Sequence, residues 1–258
     1  MLTLTTLASG SSGNCMLVSA GGTHILVDAG ISARRICMAL QDFDIGPAEL
    51  DGILVTHEHT DHMAGLATLN KKYHIPVYTS PGTGRRLCYR IAALEDVLHP
   101  CAPGTVFSLG GVDIETFPTL HDAVEPMGFA LSDGSRKAAV VTDLGCVTDE
   151  VLHGISGADL LVVEANHDAD WVRSGPYPPV LKRRILGDHG HLSNEDGGFL
   201  ARKMAEKGTK TVILAHLSKE NNTPEHARQT VKETLRDCLD AVTLAVAPRS
   251  EPGPCYAV

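Results

Sequence analysis

The sequence lacks any apolar run of the roughly 18–20 residues that a membrane-spanning helix needs, so we expect no membrane segment. Its first five residues, MLTLT, lack the basic start and apolar stretch of a signal peptide. The seven cysteines are odd in number and include no CxxC pair, which disfavours a disulfide framework or a cysteine zinc site. Scattered free thiols are typical of a reducing compartment, so we expect a cytoplasmic protein.

The sequence also contains fewer basic than acidic residues. The 22 Lys and Arg residues stand against 31 Asp and Glu, giving a net charge of −9, which disfavours unspecific coating of nucleic acid or anionic membrane. The basic residues are unevenly spread, however. Residues 71–90 carry five of them and no acid, and residues 171–190 carry four against one acid. Two such segments favour contact with a phosphate backbone over binding of a small neutral ester.

The chain has no repeat, low-complexity segment or linker, and we expect one domain spanning residues 1–258. Its length, with 43% hydrophobic and 21% charged residues, is typical of a globular chain that buries its own core. Short runs rich in Val, Ile, Leu and Thr predict strands. These runs are Leu2–Leu7, Met16–Ser19, His24–Asp28, Ile53–Thr56, Val77–Thr79, Val112–Phe117, Ala138–Thr142, Leu160–Glu164, Val212–Ala215 and Val242–Val246.

Helix starts are predicted at Ser32, Ser193 and Thr223-Pro224, where a capping side chain precedes helical spacing of apolar residues. After Ser193 the spacing places Phe199, Leu200 and Met204 on one face. After Thr223 it runs through Ala227, Val231, Leu235 and Leu239. The early strands follow one another directly, whereas the later ones alternate with helices. This succession predicts an α/β fold whose sheets are covered by helices.

The segment His57-Glu58-His59-Thr60-Asp61-His62 directly follows a predicted strand and supplies four potential metal ligands within six residues. Alternate residues of an extended segment share a face, so His57 and His59 can converge on one ion. If the chain then turns into a helix, Asp61 and His62 point towards a second ion. The spacing therefore predicts a two-metal site.

This HxHxDH segment resembles the signature of the metallo-β-lactamase fold, and the resemblance extends over essentially the whole chain. It implies a four-layer αββα sandwich in which isolated His and Asp residues at later strand ends complete the site. His121, Asp143 and His216 stand at such positions. The resemblance implies two divalent ions per chain, Zn²⁺ or Mn²⁺ or both. One ion would be held by His57, His59 and His121, and the other by Asp61, His62 and His216, with Asp143 bridging them.

Five further segments resemble the YycJ (WalJ) family of bacterial nucleases. They begin at Ala8 (ASGSSGN), His121 (HDA), Glu164 (EANHD), Gly190 (GHLSN) and His216 (HLSKENN). The resemblance implies a 5′-to-3′ DNA exonuclease of mismatch repair, with DNA ends or single strands as substrate and repair proteins as partners. The oligomeric state, the choice between DNA and RNA and the identity of the metal stay open.

The resemblance also suggests roles for residues around the ions. Catalytic roles fall to Asp61 as well as to Glu164 and His191, which match a proton relay of the related tRNA-processing enzymes. We expect substrate contacts at Ser11, Asn166 and His167. Asp28 matches an early family aspartate that would orient a ligating histidine. Two alternatives remain on the same fold, namely an RNA-processing nuclease and a small-molecule ester or thioester hydrolase. A di-iron oxidoreductase is disfavoured because His59 stands where that branch usually carries Glu.

Overall fold

The computed structural model describes residues 1–258 and contains two seven-stranded sheets. The first sheet contains β1 (Thr3–Ala8), β2 (Cys15–Ala20), β3 (Thr23–Val27), β4 (Gly52–Leu54), β5 (Val77–Thr79), β6 (Leu98–Pro100) and β14 (Tyr256–Ala257). The second contains β7 (Val106–Leu109), β8 (Val112–Pro118), β9 (Met127–Ser132), β10 (Lys137–Val141), β11 (Leu160–Glu164), β12 (Thr211–Ala215) and β13 (Thr243–Val246). All ten predicted strands are present, and their ends agree with the predicted ones to within two residues.

The two sheets repeat one pattern of strand pairing. In the order β14-β1-β2-β3 the first sheet is antiparallel, and from β3 through β4 and β5 to β6 it is parallel. The second sheet is antiparallel over β7-β8-β9-β10 and parallel from β10 through β11 and β12 to β13. Parallel neighbours need crossover connections, and these carry most of the helices. The carboxyl ends of the parallel strands are the places where ligand sites form in α/β sheets.

Nine α-helices cover the outer faces of the sheets or connect their strands. They are α1 (Ala33–Gln41), α2 (Thr60–Met63), α3 (Leu66–Tyr73), α4 (Pro81–Arg90), α5 (Asp149–Gly154), α6 (Ala169–Ser174), α7 (Pro179–Ile185), α8 (Asn194–Ala205) and α9 (Pro224–Leu235). The predicted caps are present, because the side chains of Ser32, Ser193 and Thr223 accept hydrogen bonds from backbone N–H groups of α1, α8 and α9. None of the helices is both long and apolar enough to cross a membrane.

The hydrophobic core consists of three layers, as the four-layer αββα prediction requires. The central layer lies between the sheets and includes Leu54, Phe129 and Ile213. One outer layer joins the first sheet to α1, α3 and α4, and the other joins the second sheet to α5, α8 and α9. The predicted fold is confirmed.

Two helix predictions need correction. Phe199 is 69% exposed, because the buried face of α8 is formed by Gly197, Leu200, Ala201 and Met204, and Phe199 lies about 100° away from Leu200 around the helix. Helix α9 ends at Leu235, since Arg236 takes a positive φ of 45°. Leu239 therefore lies in a following 3-10 turn, where it still packs against the outer core.

Candidate metal centre

Loops at strand ends bring the predicted metal ligands together. Three residues after β4 the chain reaches His57, and α2 begins at Thr60, so Asp61 and His62 lie on its first turn. The second sheet supplies His121 after β8, Asp143 after β10 and His216 directly after β12. The seven candidate ligands therefore come from both sheets and meet at one edge of the sandwich.

The first cluster contains His57, His59 and His121, with one potential ligand atom from each within 4.8 Å of the others. Their ring centroids are 4.5–5.1 Å apart, and each pair is close to perpendicular. His57 and His121 are buried, whereas the His59 side chain is 30% exposed. Three imidazole nitrogens at this spacing form a donor set that suits Zn²⁺.

The second cluster contains Asp61, His62 and His216. Asp61 Oδ2 lies 3.6 Å from His62 Nε2 and 3.3 Å from His216 Nε2. Asp143 stands between the clusters, with Oδ2 3.2 Å from His62 Nε2 and Oδ1 3.7 Å from His121 Nε2. A carboxylate in this position can bridge two ions.

Hydrogen bonds at Nδ1 orient four of the candidate histidines so that Nε2 faces the cluster. The partner of His57 is Thr56 Oγ1 at 3.0 Å, and that of His62 is Asp28 Oδ2 at 2.8 Å. His121 Nδ1 lies 2.9 Å from the carbonyl oxygen of Gly190, and His216 Nδ1 lies 2.8 Å from Glu164 Oε1. Metal-ligating histidines in proteins generally have such an oxygen partner on the ring nitrogen remote from the metal.

Several buried atoms at the centre make no hydrogen bond to the protein. His57 Nε2, His121 Nε2 and Asp143 Oδ2 are buried and make no hydrogen bond of good geometry, although His62 Nε2 lies 3.2 Å from Asp143 Oδ2 and Asp122 Oδ1 lies 3.1 Å from His121 Nε2. Buried polar atoms are rarely left unpaired, and an ion would satisfy these three. The imidazole nitrogens and carboxylate oxygens therefore form a donor set that fits divalent metal ions.

The electrostatics of the site agree with this fit. Burial lowers the pKa values of His57 and His121, which keeps both rings in the neutral form that binds metals. Burial alone would raise the pKa of Asp143, but the neighbouring His216 and His62 hold it well below its usual range. For His216, burial is outweighed by Asp143, Asp61 and Glu164, which raise its pKa to about 10. Removal of protons therefore accompanies metal binding at this second cluster.

Three site residues adopt left-handed backbone conformations. Asp28, Asp143 and His216 have φ values of 62°, 57° and 56°. Non-glycine residues in this region carry strain of about 1–3 kcal/mol, and such residues cluster at functional sites. Each follows a parallel strand, and the abrupt turn directs its side chain into the cluster.

Glu164, at the end of β11, is fully buried and accepts four hydrogen bonds. Its Oε1 lies 2.9 Å from His191 Nδ1 as well as 2.8 Å from His216 Nδ1, and its Oε2 accepts from the backbone N–H groups of Leu144 and Leu192. Burial opposes ionisation, but His191 and His216 lower the pKa of Glu164 to about 2. The same carboxylate counteracts the effect of burial on His191 and raises its pKa. Glu164 thus orients a candidate ligand in addition to the expected His191.

The predicted substrate contacts have different surroundings. Ser11 is exposed in the turn after β1. Asn166 is buried, and its amide donates a 2.8 Å hydrogen bond to the carbonyl oxygen of His216, so this side chain faces a candidate ligand. His167 is buried, its Nδ1 has no partner, and burial lowers its pKa to about 4.

Sequence reasoning missed four residues that contact the site. Thr56 donates to Asp28 and contacts His57, and Ser9 Oγ accepts a 2.8 Å hydrogen bond from the His216 backbone N–H. Asn14 Nδ2 lies 3.1 Å from His62 Nε2. Gly30 is the fourth, because a Cβ there would collide with the carbonyl oxygen of Asp61. Thr56 directly precedes the HxHxDH segment, and Ser9 and Asn14 lie in the same small-residue loop as Ser11. Their positions in or beside motifs that the sequence already shows could have identified them.

Both basic segments reach this centre. Arg90, the last residue of α4, donates a 3.0 Å hydrogen bond to the carbonyl oxygen of Glu58 within the metal motif. Arg184 of α7 pairs with Asp122, whose Oδ1 lies 3.1 Å from His121 Nε2. Helix α7 has no buried residue, and its Arg183 and Arg184 side chains are exposed. Positive charge therefore lies beside the candidate ligands although the chain is acidic overall.

Metal-dependent hydrolysis is the chemistry that this arrangement serves, and the fold that carries it is that of the β-lactamase superfamily. A family model described as "Beta-lactamase superfamily domain" matches residues 23–217. The chain is 40% identical to the exodeoxyribonuclease YycJ of Bacillus anthracis over 90% of its own length and 88% of the relative. It is 39% identical to the exodeoxyribonuclease WalJ of Streptococcus pneumoniae, with 89% and 86% coverage. Within the superfamily, the chain belongs to the YycJ/WalJ family and is a metal-dependent hydrolase.

More distant proteins share the fold. A ribonuclease Z of Mycobacterium marinum is 30% identical over 84% of this chain and 86% of the relative. The crystal structure of YhfI from Bacillus subtilis, a metallo-β-lactamase fold protein, superposes with a TM-score of 0.73 at 20% identity and covers both chains completely. The structural likeness to YhfI concerns the fold alone.

Proposed function

We propose that this protein is a two-metal phosphodiesterase that degrades DNA from the 5′ end. The observation that carries the proposal is the convergence of seven His and Asp side chains from both sheets, three of whose atoms are buried without a partner. The relatives named exodeoxyribonuclease, at 40% and 39% identity over most of the chain, supply the substrate class.

In this proposal His57, His59 and His121 hold one ion, and Asp61, His62 and His216 hold the other. Asp143 bridges them, and Asp28 orients His62. Two divalent ions held by these residues would lower the pKa of a bound water at neutral pH and stabilise the charge of the reacting phosphate. Imidazole suits Zn²⁺ and carboxylate suits Mn²⁺, so both metals are compatible with the donor set.

His191 is proposed to give a proton to the leaving 3′-oxygen. Its Nδ1 is held by Glu164 Oε1 at 2.9 Å, which leaves Nε2 free to face a substrate. The ring lies beside Asp143, with Nδ1 3.6 Å from Oδ1, and its side chain is 19% exposed. A positioned histidine with an orienting carboxylate is the usual arrangement of a general acid. Asp61 would contribute to catalysis as a ligand of the second ion, together with His62 and His216.

DNA binding is proposed to involve the basic side chains of α4 and α7 beside the metal motif. Arg90 and Arg184 contact residues of the candidate centre, and Lys182 and Arg183 extend the charge along α7. Ser11 is an additional proposed contact, since it lies in the exposed part of the loop that also carries Ser9 and Asn14. A protein that binds the end of a DNA chain through these groups does not need a positive net charge.

A role in mismatch repair, with repair proteins as partners and a cytoplasmic location, is part of the proposal. Seven unpaired cysteines support a reducing compartment. An RNA-processing nuclease is the second candidate, favoured by the 30% identity to a ribonuclease Z. A hydrolase of small esters or thioesters remains a third, because fold and ligands do not fix the substrate.

The test is a substrate panel given to the metal-reconstituted protein: end-labelled single- and double-stranded DNA, the same sequences as RNA, and a small ester and a lactone. We expect degradation of DNA, with loss of activity in Asp143→Asn. Asp44→Asn is the matched control, because Asp44 has the same φ of 57° but is exposed. Turnover of only the ester or lactone would contradict the proposal, and degradation of RNA alone would favour the second candidate.

A further inference from the structure

A cavity of about 350 Å³ adjoins the candidate centre, and His191 lines it. We call it the His167 cavity. Its other polar walls come from His167, Asp170, Arg173, Ser193, Glu195 and Asp196, and it contains none of the seven candidate metal ligands. Because His191 also lies 3.6 Å from Asp143, this ring separates the cavity from the metal cluster. A volume of this size lies within the range of about 300–1,000 Å³ typical of small-molecule sites.

His167 is a buried polar side chain in the wall of this cavity. The residue is 1% exposed, and its Nδ1 is buried without a hydrogen-bond partner. Leaving a buried polar atom unpaired destabilises a protein, so native structures contain few such atoms. Its main chain is fixed by the 2.8 Å hydrogen bond from Asn194 N to His167 O, which holds the residue at the start of α8. An unpaired ring that lines a cavity is suited to a ligand.

The remaining walls indicate the chemistry of that ligand. Arg173 is the one Lys or Arg side chain of the cavity, and its partner is Asp170 Oδ1 at 2.7 Å, in an exposed pair of low stability. A phosphate group can replace Asp170 at a guanidinium. Glu195 and Asp196 offer carboxylate oxygens, which accept hydrogen bonds from the amino groups of nucleobases. The cavity thus contains an arginine that can bind a phosphate group and carboxylates that can bind a nucleobase.

We propose that the His167 cavity holds the terminal nucleotide of the DNA and releases it as a nucleoside 5′-monophosphate. This inference rests on the proposed function. The oxygen of water forms a bond to phosphorus, and the P–O3′ bond breaks. The leaving 3′-oxygen takes the proton of His191, and the proton lost by water restores it. Because that 3′-oxygen belongs to the terminal nucleotide, this nucleotide lies on the cavity side of His191. A cavity that accommodates one nucleotide explains cleavage at chain ends.

The first test measures binding of dCMP and of deoxycytidine to the metal-loaded protein by calorimetry. We expect dCMP to bind more tightly, and Arg173→Gln to weaken dCMP binding about tenfold while leaving deoxycytidine unchanged. Arg34→Gln is the control, since Arg34 is an exposed helical arginine of α1 outside the cavity. Equal affinity of the wild type and Arg173→Gln for dCMP would overturn the inference.

The second test uses His167→Leu, which replaces the unpaired ring by an apolar side chain. We expect an unchanged or higher Tm, because a buried unpaired atom is removed, together with about tenfold weaker dCMP binding. A lower Tm with unchanged affinity would assign His167 a structural role and overturn the inference. Degradation of DNA is followed separately. A wild type that degrades DNA without binding dCMP overturns the cavity assignment alone, whereas dCMP binding without DNA degradation overturns the proposed function and, with it, the nucleotide as product.

Discussion

Hydrogen bonds at Nδ1 decide which edge of each candidate histidine an ion can reach. Thr56, Asp28, the Gly190 carbonyl and Glu164 each hold one ring, and none of the four is a proposed ligand. In the proposed centre these partners fix the tautomer in which Nε2 is unprotonated, which is the form that binds a metal ion. The geometry of the proposed centre thus depends on residues other than the seven proposed ligands.

Asp28→Asn tests this dependence at a single residue. The substitution keeps the size of the side chain but removes the charge that faces His62 Nδ1, so we expect metal affinity at the second site to fall about 10–100-fold. Competition with a chromogenic chelator measures it. Asp44→Asn, at an exposed residue with a similar φ, should leave the affinity unchanged. Equal affinity of Asp28→Asn and wild type would show that Asp28 only shapes the turn.

His191→Ala separates proton donation from metal binding. We expect turnover to fall about 10²–10⁴-fold, the usual contribution of a general acid, with the metal content retained. His189→Ala provides the control, because His189 is exposed and two residues away. Metal analysis and turnover are measured on the same samples. Unchanged turnover in His191→Ala would remove His191 from the mechanism.

At the residue scale, the sequence indicates the candidate metal ligands better than it indicates the residues that orient them. HxHxDH and the strand-end residues His121, Asp143 and His216 are identified by residue type and spacing. By contrast, the contact of Glu164 with His216 and that of Ser9 with the His216 backbone join residues 52 and 207 positions apart. Such contacts depend on how the loops pack, and no local pattern encodes them.

At the scale of elements, α7 is unusual because it presents Lys182, Arg183 and Arg184 without burying a residue. Its position is fixed by the segment that follows it. A Cβ at Gly190 would collide with the Ile185 carbonyl oxygen, and the Gly190 carbonyl binds His121. Close backbone packing therefore holds the basic helix α7 near the loop that carries His121.

Replacing Lys182, Arg183 and Arg184 together by Gln tests α7 as a DNA contact. Each lost phosphate contact lowers the salt slope of single-strand binding by about 0.7, so we expect weaker binding and a slope reduced by up to about 2. Binding is measured at several salt concentrations with a catalytically inactive background. A triple change of the exposed Lys203, Lys207 and Lys210 alters the net charge equally and serves as the control. The same slope in both triple variants would exclude α7.

Elements with strong local signals were predicted, and elements shaped by packing were not. The caps at Ser193 and Thr223 and the apolar runs of β10 to β12 are local features. Strand β9 was missed because Gly128 interrupts it, yet a Cβ there would collide with the Phe117 ring. Helix α4 contains Gly82 and Gly84, which weaken helical propensity. Gly82 lies against Glu125 and Val124 of the loop after β8, and Gly84 lies against Leu98 of β6, so tertiary packing overrides propensity.

For the whole molecule, the proposed ligands join two halves that share one strand pattern. His57, His59, Asp61 and His62 follow the first sheet, and His121, Asp143 and His216 follow the second. The C-terminal strand β14 returns to pair with β1 of the first sheet. We therefore propose that residues 1–258 unfold as one unit and that bound ions stabilise the contact between the halves.

Metal removal tests this proposal. An ion present at a thousand times its Kd adds about 4 kcal/mol to stability, and for a chain of this size roughly 2–4 °C of Tm follow from each kcal/mol. We expect chelation to lower Tm by on the order of 10 °C in a single transition, measured by calorimetry. Asp143→Asn should respond less to the chelator. A Tm independent of chelation, or two separate transitions, would contradict the account.

For the whole molecule, the net charge of −9 conceals an uneven distribution of charge along the chain. Residues 71–90 and 171–190 together carry nine basic side chains against one acid, a local excess of +8, so the other 218 residues sum to −17. Several of those acids are Asp28, Asp61, Asp143 and Glu164 of the centre. Acidity therefore excludes unspecific DNA coating without excluding a nuclease that binds a chain end.

The central claim is that two ions, bridged by Asp143, support removal of nucleotides from the 5′ end of DNA. Its most direct test titrates the apoprotein with Zn²⁺ or Mn²⁺ in the presence of 5′-labelled DNA and records released label against ions bound per chain. We predict that labelled mononucleotide is released first and that its rate rises as the second equivalent binds. Full activity at one ion per chain, or loss of the 5′ label only after digestion from the 3′ end, would contradict the account.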